Sequence, residues 1–418
     1  MELLTAPQRV IDDLQELQYR TSTDDGAQRL AWTKTWDTAR EYLQQRVAEL
    51  PVRTSIDEAG NMWSILEGDS PEMIILGSHL DSVPDGGWLD GAYGVMAGLE
   101  ILRAMAEHQS RPVTLALVDW ADEEGARFGR SLFSSSAAVG SLELETVRDR
   151  TDSHGERLTD VLDQHGIDLD SMKQAKERFA HAQACLELHI EQGPVLEQEN
   201  LPIGVVQGTV GMQRHKITFE GVSAHAGSTP MDRRRDPVVA AARTVDSVRA
   251  AANRYQGVGT VGSVVTQPGI VTATSERATL MIDLRHLGAS ALTAMLEEVQ
   301  TSANEFANAE SCTTYWEPLF TRSPQPFDNE MVDLACQVCK KVAGTAFELP
   351  SGALHDATSI APIVPTAMLF TSCIGGLSHN RDEDASHNDL RTGVDALASL
   401  TSMVLDRVME KQPPTRAP

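Results

Sequence analysis

The sequence predicts an α/β fold: a catalytic domain with a mixed sheet flanked by helices, interrupted by an inserted α+β domain. Three observations predict it. Apolar strand-like runs ending in charged residues alternate with helical stretches over residues 30–124. From about Val210 the pattern changes to separate amphipathic strands and helices, and after a breaker-rich link the first pattern resumes. A chain of 418 residues, 41% of them hydrophobic, also exceeds the size at which one core usually divides.

In chain order, LAWTKTWDTAREYLQQRVAEL has the apolar spacing of an amphipathic helix, and VRTSIDEAGNMWSILEG reads as a hairpin turning at Ala59-Gly60-Asn61. EMIILGSHLDS is a buried strand that ends in polar residues. GAYGVMAGLEILRAMAEH is a helix, and PVTLALVDWADEE is a second buried strand whose carboxyl end carries charge. The insert offers three strands, MQRHKITFEGVSAHAG, GTVGSVVTQPGIVTA and RATLMIDLRHLG, separated by the helices PVVAAARTVDSVRAAANR and SALTAMLEEVQTSANEFAN. Beyond SPQPFDNE come the helix VDLACQVCKKVAG, the strand TAMLFTS and a closing helix DALASLTSMVLDRVMEK. The expected domains are 1–211 with 328–418, and 212–327.

With 35 basic and 60 acidic residues the formal charge is -25, which would repel nucleic acid and anionic membranes alike. No stretch reaches the roughly 18 apolar residues of a membrane span, and MELLTAPQRVIDDLQELQ has neither the basic nor the apolar part of a signal peptide. A cytoplasmic protein is expected. The five cysteines are odd in number and scattered, so they are expected to be reduced; Cys336-x-x-Cys339 has no second pair and lies in a helical pattern, as packing residues do.

The chemistry gathers at strand ends. His79 and Asp81 follow a buried strand, and Asp90 closes a glycine-rich loop that opens a helix. Alone, His-x-Asp is as well explained by a capped turn. Glu123 and Glu124 stand side by side after the next strand, where adjacent carboxylates are costly unless a cation or proton separates them, or unless the loop is solvated. His189 lies between Leu188 and Ile190, the usual setting of a core histidine. GGLSHNRDEDASHNDL offers two Ser-His-Asn copies, with His379 and His387. Taken together, these histidines and carboxylates are a ligand set for a pair of borderline-soft divalent ions.

GSHLDSVPDGGWLDGAYGV, DEEGARF and LELHIEQGPVLE resemble motifs of the hydantoinase/carbamoylase branch of the dinuclear-zinc aminoacylase and carboxypeptidase clan, and the resemblance spans nearly the whole chain. That branch includes N-carbamoyl-L-amino-acid hydrolases, allantoate amidohydrolases and β-ureidopropionases. The resemblance implies His79, Asp90, Glu124, His189 and His379 as ligands of two divalent ions per subunit, with Asp90 bridging. Zinc is expected; manganese, cobalt and nickel suit the same donors. It further implies that Asp81 orients His79, that Glu123 is the general base, and that Gln192 lies near the substrate. His379 is preferred to His387 because Ser378-His379-Asn380-Arg381-Asp382-Glu383 is similar to the branch's Ser-His-Asn-Pro-x-Glu, with Arg381 for Pro.

SAHAGSTPMDRRRD resembles the lid motif, implying that His225 binds substrate or stabilises the oxyanion, and that the insert builds a homodimer. DLRH resembles the segment whose arginine, Arg285, grips a substrate carboxylate. PSGALHDA is similar to a substrate loop, carried here by Gly352 and Ala353, with Leu354 in place of a glycine. Thr272 begins the stretch where the branch has a substrate-contacting asparagine. The function implied is removal of a carbamoyl group from an N-carbamoyl-L-amino acid by metal-activated water, with allantoate, ureido acids or N-acyl amino acids as alternative substrates. A metal-bound protein without activity would lack a ligand or the base, and none is missing.

Overall fold

The computed structural model describes residues 1–411. The chain forms two compact units, one built from Met1–Gln207 with the chain from Phe327 on, the other from Gly208–Pro326. The divisions fall at 207/208 and 326/327, against 211/212 and 327/328 expected.

At the centre of the first unit four strands run parallel, in the order Thr366–Thr371, Ala182–Ile190, Met73–His79 and Thr114–Trp120. Antiparallel Ile203–Thr209 flanks one side and the hairpin Arg53–Ile56/Met62–Leu66 the other, so the sheet is mixed. Every residue of Met73–His79 and of Thr114–Trp120 is buried. Burial on both faces is what continuous apolar runs in parallel strands require. Alternation then assigns the faces. Ile74 and Leu76 join a cluster with the helices Pro7–Thr21, Ala92–Ala106, Asn329–Ala343 and His387–Lys411, while Ile75 packs with Ala116, Val118, Trp63, Trp120 and Phe179 on the other side.

The helix predicted from Leu30 begins at Lys34, because Thr33 is extended and its hydroxyl accepts the N–H of Trp36. The hairpin turns as expected: Asp57 Oδ1 takes the N–H groups of Ala59 and Asn61, with Gly60 at φ +88° between them. Helix Pro7–Thr21 and the strands Ile203–Thr209 and Glu348–Ser351 were not anticipated. The closing helix starts eight residues before the predicted Asp395, at His387. The five cysteines are free, with Cys339 buried along the helix Asn329–Ala343. Among the described residues no helix is long and apolar enough to cross a membrane.

The second unit is a four-stranded antiparallel sheet in the order Val258–Gln267, Arg277–His286, Gly211–Glu220 and Thr313–Arg322. Helices Pro237–Tyr255 and Ala289–Ala309 bury Ala241, Val248, Met295 and Val299 against Ile217, Phe219, Leu280 and Leu284. The fourth strand escaped prediction for a physical reason. TTYWEPLFTR is an edge strand that carries Pro318, is largely exposed, and so needs no apolar alternation.

Candidate metal centre

Three parallel strands deliver the site from one edge of the sheet, as open α/β sheets place ligands at their carboxyl ends. His79 is the last residue of Met73–His79 and lies in register with Trp120, so Glu123 and Glu124 follow just beyond the same edge. His189 is the penultimate residue of Ala182–Ile190. Asp90 arrives on the turn into helix Ala92–Ala106, where Gly91 has φ +63° and a Cβ would lie 2.4 Å from the His79 ring. Only glycine fits that approach.

Ligand atoms of His79, Asp90 and His189 lie within 4.8 Å of one another, as do those of Asp90, Glu124 and His379. Asp90 belongs to both groups. Its Oδ1 is 3.1 Å from His189 Nε2 and its Oδ2 3.2 Å from His379 Nε2, which is 3.3 Å from Glu124 Oε1. Two imidazoles have their tautomers set by carbonyls, which can only accept: His79 Nδ1–H donates to Asp81 O at 3.0 Å and His189 Nδ1–H to Ile190 O at 2.9 Å. His79 leaves its Nε2 lone pair for the centre, while His189 Nε2, which faces Asp90, also accepts the Gly91 N–H at 3.2 Å.

The electrostatics suit cations. Among the described residues the buried Glu123 Oε1 has no hydrogen-bond partner. Burial holds the Glu123 carboxyl well above the usual range, reinforced by Asp356 and Glu124; burial and then Asp90 do the same to Glu124. Burial alone would raise Asp90 as well, but the imidazoles of His189 and His379 hold it well below. Burial pushes His79 down to about 4; for His189 burial is outweighed by Asp90, and the ring is pushed up to about 9. A buried crowd of carboxylates with imidazole lone pairs among them is relieved by divalent ions, and five donors sharing one carboxylate could hold a pair.

Asp81 meets His79 through its main chain. Its carbonyl, not its carboxylate, makes the hydrogen bond to His79; the carboxylate lies 3.6 Å from that ring nitrogen and accepts the N–H groups of Glu123 at 3.2 Å and Glu124 at 3.1 Å. One residue thus links the His79 strand to the acidic turn. Gln192, at φ +57°, brings Nε2 to 3.2 Å from both oxygens of Asp90 and 3.0 Å from Ser378 Oγ. Ser378 donates to Glu383, whose Oε1 accepts the N–H groups of Leu89 and Asp90 at 3.0 Å each. Arg381, in the position of the motif's proline, is exposed beside Asp25 and Asp382. His379 has φ +53° and reaches the centre, whereas His387 is an exposed residue at the start of the last helix and joins neither group.

Residues that sequence reasoning missed complete the surroundings. Glu187, two positions before His189 on the same strand face, accepts from Ser78 Oγ at 3.0 Å and Ala357 N at 2.9 Å. His355 lies 4.6 Å from the His189 ring, with Nε2 2.9 Å from Ser351 Oγ. These two form a further cluster with His189, but hydrogen bonds already engage them. The strand period could have flagged Glu187, and His355 stood within the quoted PSGALHDA, where no role was assigned to it. Gly352 and Ala353 lie in the turn that delivers His355, Ala353 N donating to Ser351 Oγ at 3.1 Å, with Leu354 half-buried next to them.

In the second unit His225 is exposed, and its Nδ1 accepts from the N–H groups of Gly227 and Ser228, each at 3.1 Å. A neutral ring so held carries its hydrogen on Nε2. Thr272 is exposed and ties its carbonyl to Ala226 N at 2.9 Å. Arg285 uses Nε and Nη2 on Asp283, at 2.9 and 3.0 Å, and Arg214 shares that carboxylate at 2.8 Å. An internal carboxylate therefore occupies one edge of the guanidinium expected to grip substrate.

Residues 75–402 match the profile of Peptidase family M20/M25/M40. The N-carbamoyl-L-amino acid amidohydrolase of Geobacillus stearothermophilus is 35% identical over 89% of this chain and 92% of its own. The allantoate amidohydrolase of Escherichia coli (strain K12) is 32% identical over 89% and 92%. Among solved structures, an amidase of the hydantoinase/carbamoylase family from Burkholderia multivorans superposes with a TM-score of 0.85 at 31% identity, covering 96% of this chain and 98% of that one. With the motifs, the fold and the clustered ligand set in agreement, the chain belongs to the hydantoinase/carbamoylase branch of peptidase family M20/M25/M40.

Proposed function

We propose that the protein hydrolyses the linear amide of a small carboxylate-bearing substrate, with an N-carbamoyl-L-amino acid as the preferred class and allantoate or another ureido acid as the second reading. The observation that carries this is a buried carboxylate, Glu123, with one oxygen unpartnered among the described residues and the other 3.7 Å from His79 Nε2, beside two ligand groups that share Asp90. The names of the relatives support both substrate classes.

His79, Asp90, Glu124, His189 and His379 are assigned to two divalent ions, zinc first. When bound, such ions polarise a carbonyl and acidify water. Glu123 takes a proton from the attacking water and returns it to the departing nitrogen, a role served by its place beside both ligand groups, with Oε2 3.7 Å from His79 Nε2. Gln192 keeps Asp90 aligned. His225, with Nε2–H available, is assigned to the oxyanion, and Arg285 to the substrate carboxylate, with Thr272, Gly352 and Ala353 as further substrate contacts. A carbamoyl substrate plus water gives the amino acid, carbon dioxide and ammonia. We place the enzyme in the cytoplasm, as a homodimer joined through the inserted unit; the free cysteines support the compartment.

The test is a panel of N-carbamoyl, N-acyl and ureido acids, allantoate included, assayed for ammonia or amine release after each of zinc, manganese, cobalt and nickel is restored to stripped protein. Release confined to N-acyl substrates would overturn the carbamoyl and ureido readings; no release from any would overturn the hydrolase.

A further inference from the structure

Arg29 is wholly buried, yet among the described residues none of its hydrogen bonds goes to a carboxylate. Its Nε donates to Leu80 O at 2.7 Å and its Nη2 to Gly87 O at 3.5 Å; among the described residues Nη1 is buried without a partner. Those carbonyls lie at the two ends of the loop between His79 and Asp90. The main chain around Arg29 is laced to the same loop: Ser82 N donates to Arg29 O at 3.0 Å, Arg29 N to Ser82 Oγ at 3.1 Å, and Ala27 N to Gly86 O at 2.8 Å. Leu80 is held at its other polar group too, its N–H donating at 2.8 Å to Asp119 Oδ1, which is paired with Arg40. Burying a guanidinium is expensive. Hydrophobic packing does not call for one here. What it supplies is a rigid fork spanning two carbonyls, and a fixed positive charge in the field of Glu383, Asp90, Asp81 and Glu124.

We infer that Arg29 is a positioning residue for metal binding, fixing the Leu80–Gly87 loop so that His79 and Asp90 present their ligand atoms to the same ions. This rests on the metal-centre reading. A lysine keeps the charge but cannot bridge both carbonyls from one ammonium, and a methionine keeps the length but neither charge nor donors.

The experiment compares full-length wild type, Arg29→Lys and Arg29→Met, each stripped and shown to be folded by circular dichroism. Zinc affinity is measured by competition with a chromophoric chelator, and coordination by the visible spectrum after cobalt loading. Outer partners of metal ligands typically govern affinity by about 10–100-fold. The expected result is a loss of about tenfold for Arg29→Lys and about a hundredfold for Arg29→Met, with altered cobalt spectra in both. Folded variants with wild-type affinity and spectrum would overturn the inference, as would failure of both to fold, which would assign Arg29 to the stability of the whole unit. A wild type that binds neither ion would instead remove the metal-centre reading itself, so the two failures are distinct.

Discussion

Replacing Glu123 by glutamine removes a proton acceptor while keeping volume, and the surroundings of that side chain predict two effects of opposite sign. Glu123 is 5% exposed, with Oε1 unpartnered, so an amide fits the same space. General-base assistance contributes about 10²–10⁴ in rate, or about 3–5 kcal/mol of barrier, and kcat of the metal-loaded variant should fall by that much with metal content unchanged. Stability of the metal-free protein should move the other way. Burial, Asp356 and Glu124 hold the folded-state pKa of Glu123 well above its unfolded value. A raised pKa means that folding retains the proton, so the stability this group contributes is present below the unfolded pKa and lost as pH rises through the folded one. Glutamine does not titrate. Metal-free Glu123→Gln should therefore melt above metal-free wild type, with a gap that widens from acid toward neutral and alkaline pH. Paired assays of turnover, metal content and melting against pH decide it: turnover within tenfold of wild type at full metal content would refute the base, and a gap that narrows with rising pH would refute the electrostatic account.

The remaining predictions concern the other donors and the inserted unit. His379→Ala should lower bound metal per chain, because His379 faces both Asp90 and Glu124, whereas His387→Ala should leave metal analysis unchanged; the reverse would transfer the ligand to the second Ser-His-Asn. Arg285→Lys should raise KM for carboxylate substrates without changing metal content, since an ammonium cannot bond Asp283 side-on and still offer a planar edge to substrate; an unchanged KM would show that another group holds the carboxylate. His225→Ala should lower kcat by on the order of 10² if Nε2–H serves the oxyanion. Mixing that variant with Glu123→Gln should recover part of the activity in hybrid dimers if His225 acts across subunits, and no recovery despite proven exchange would confine it to its own chain.

Much of this arrangement was legible in the sequence because parallel strands are unambiguous where they are buried: MIILGSH and TLALVDW announce themselves, and charge at their ends has few bland explanations. His79, Asp90, Glu124, His189 and His379 come from four separate segments, and the structure brings them together as two groups that share Asp90. What stayed hidden depends on contacts between distant segments. Arg29 sits in a polar stretch and matters only because Leu80 and Gly87 turn their carbonyls toward it. Glu383 stood within a motif, but its bonds to two backbone N–H groups nearly three hundred residues earlier follow only from the fold. Asp81 shows the finer limit: the resemblance pointed to the residue, but only the structure shows that its carbonyl meets His79 while its carboxylate holds the acidic turn. Thr313–Arg322 was invisible because an exposed edge carries little hydrophobic signal.

Gly87 and Gly91 bear on how any mutational survey of this loop should be interpreted. A Cβ at Gly87 would lie 2.0 Å from the Glu383 carboxyl, and one at Gly91 would lie 2.4 Å from the His79 imidazole. Neither glycine has a side chain to offer a metal or a substrate. Substituting either would nonetheless displace a group that matters, the ligand His79 in one case and in the other Glu383, which holds the main chain at Asp90, and would lower activity without removing a donor atom. A scan scored by activity alone would therefore count two spacers as ligands, and would mistake the thickness of a carboxyl group and an aromatic ring for chemistry.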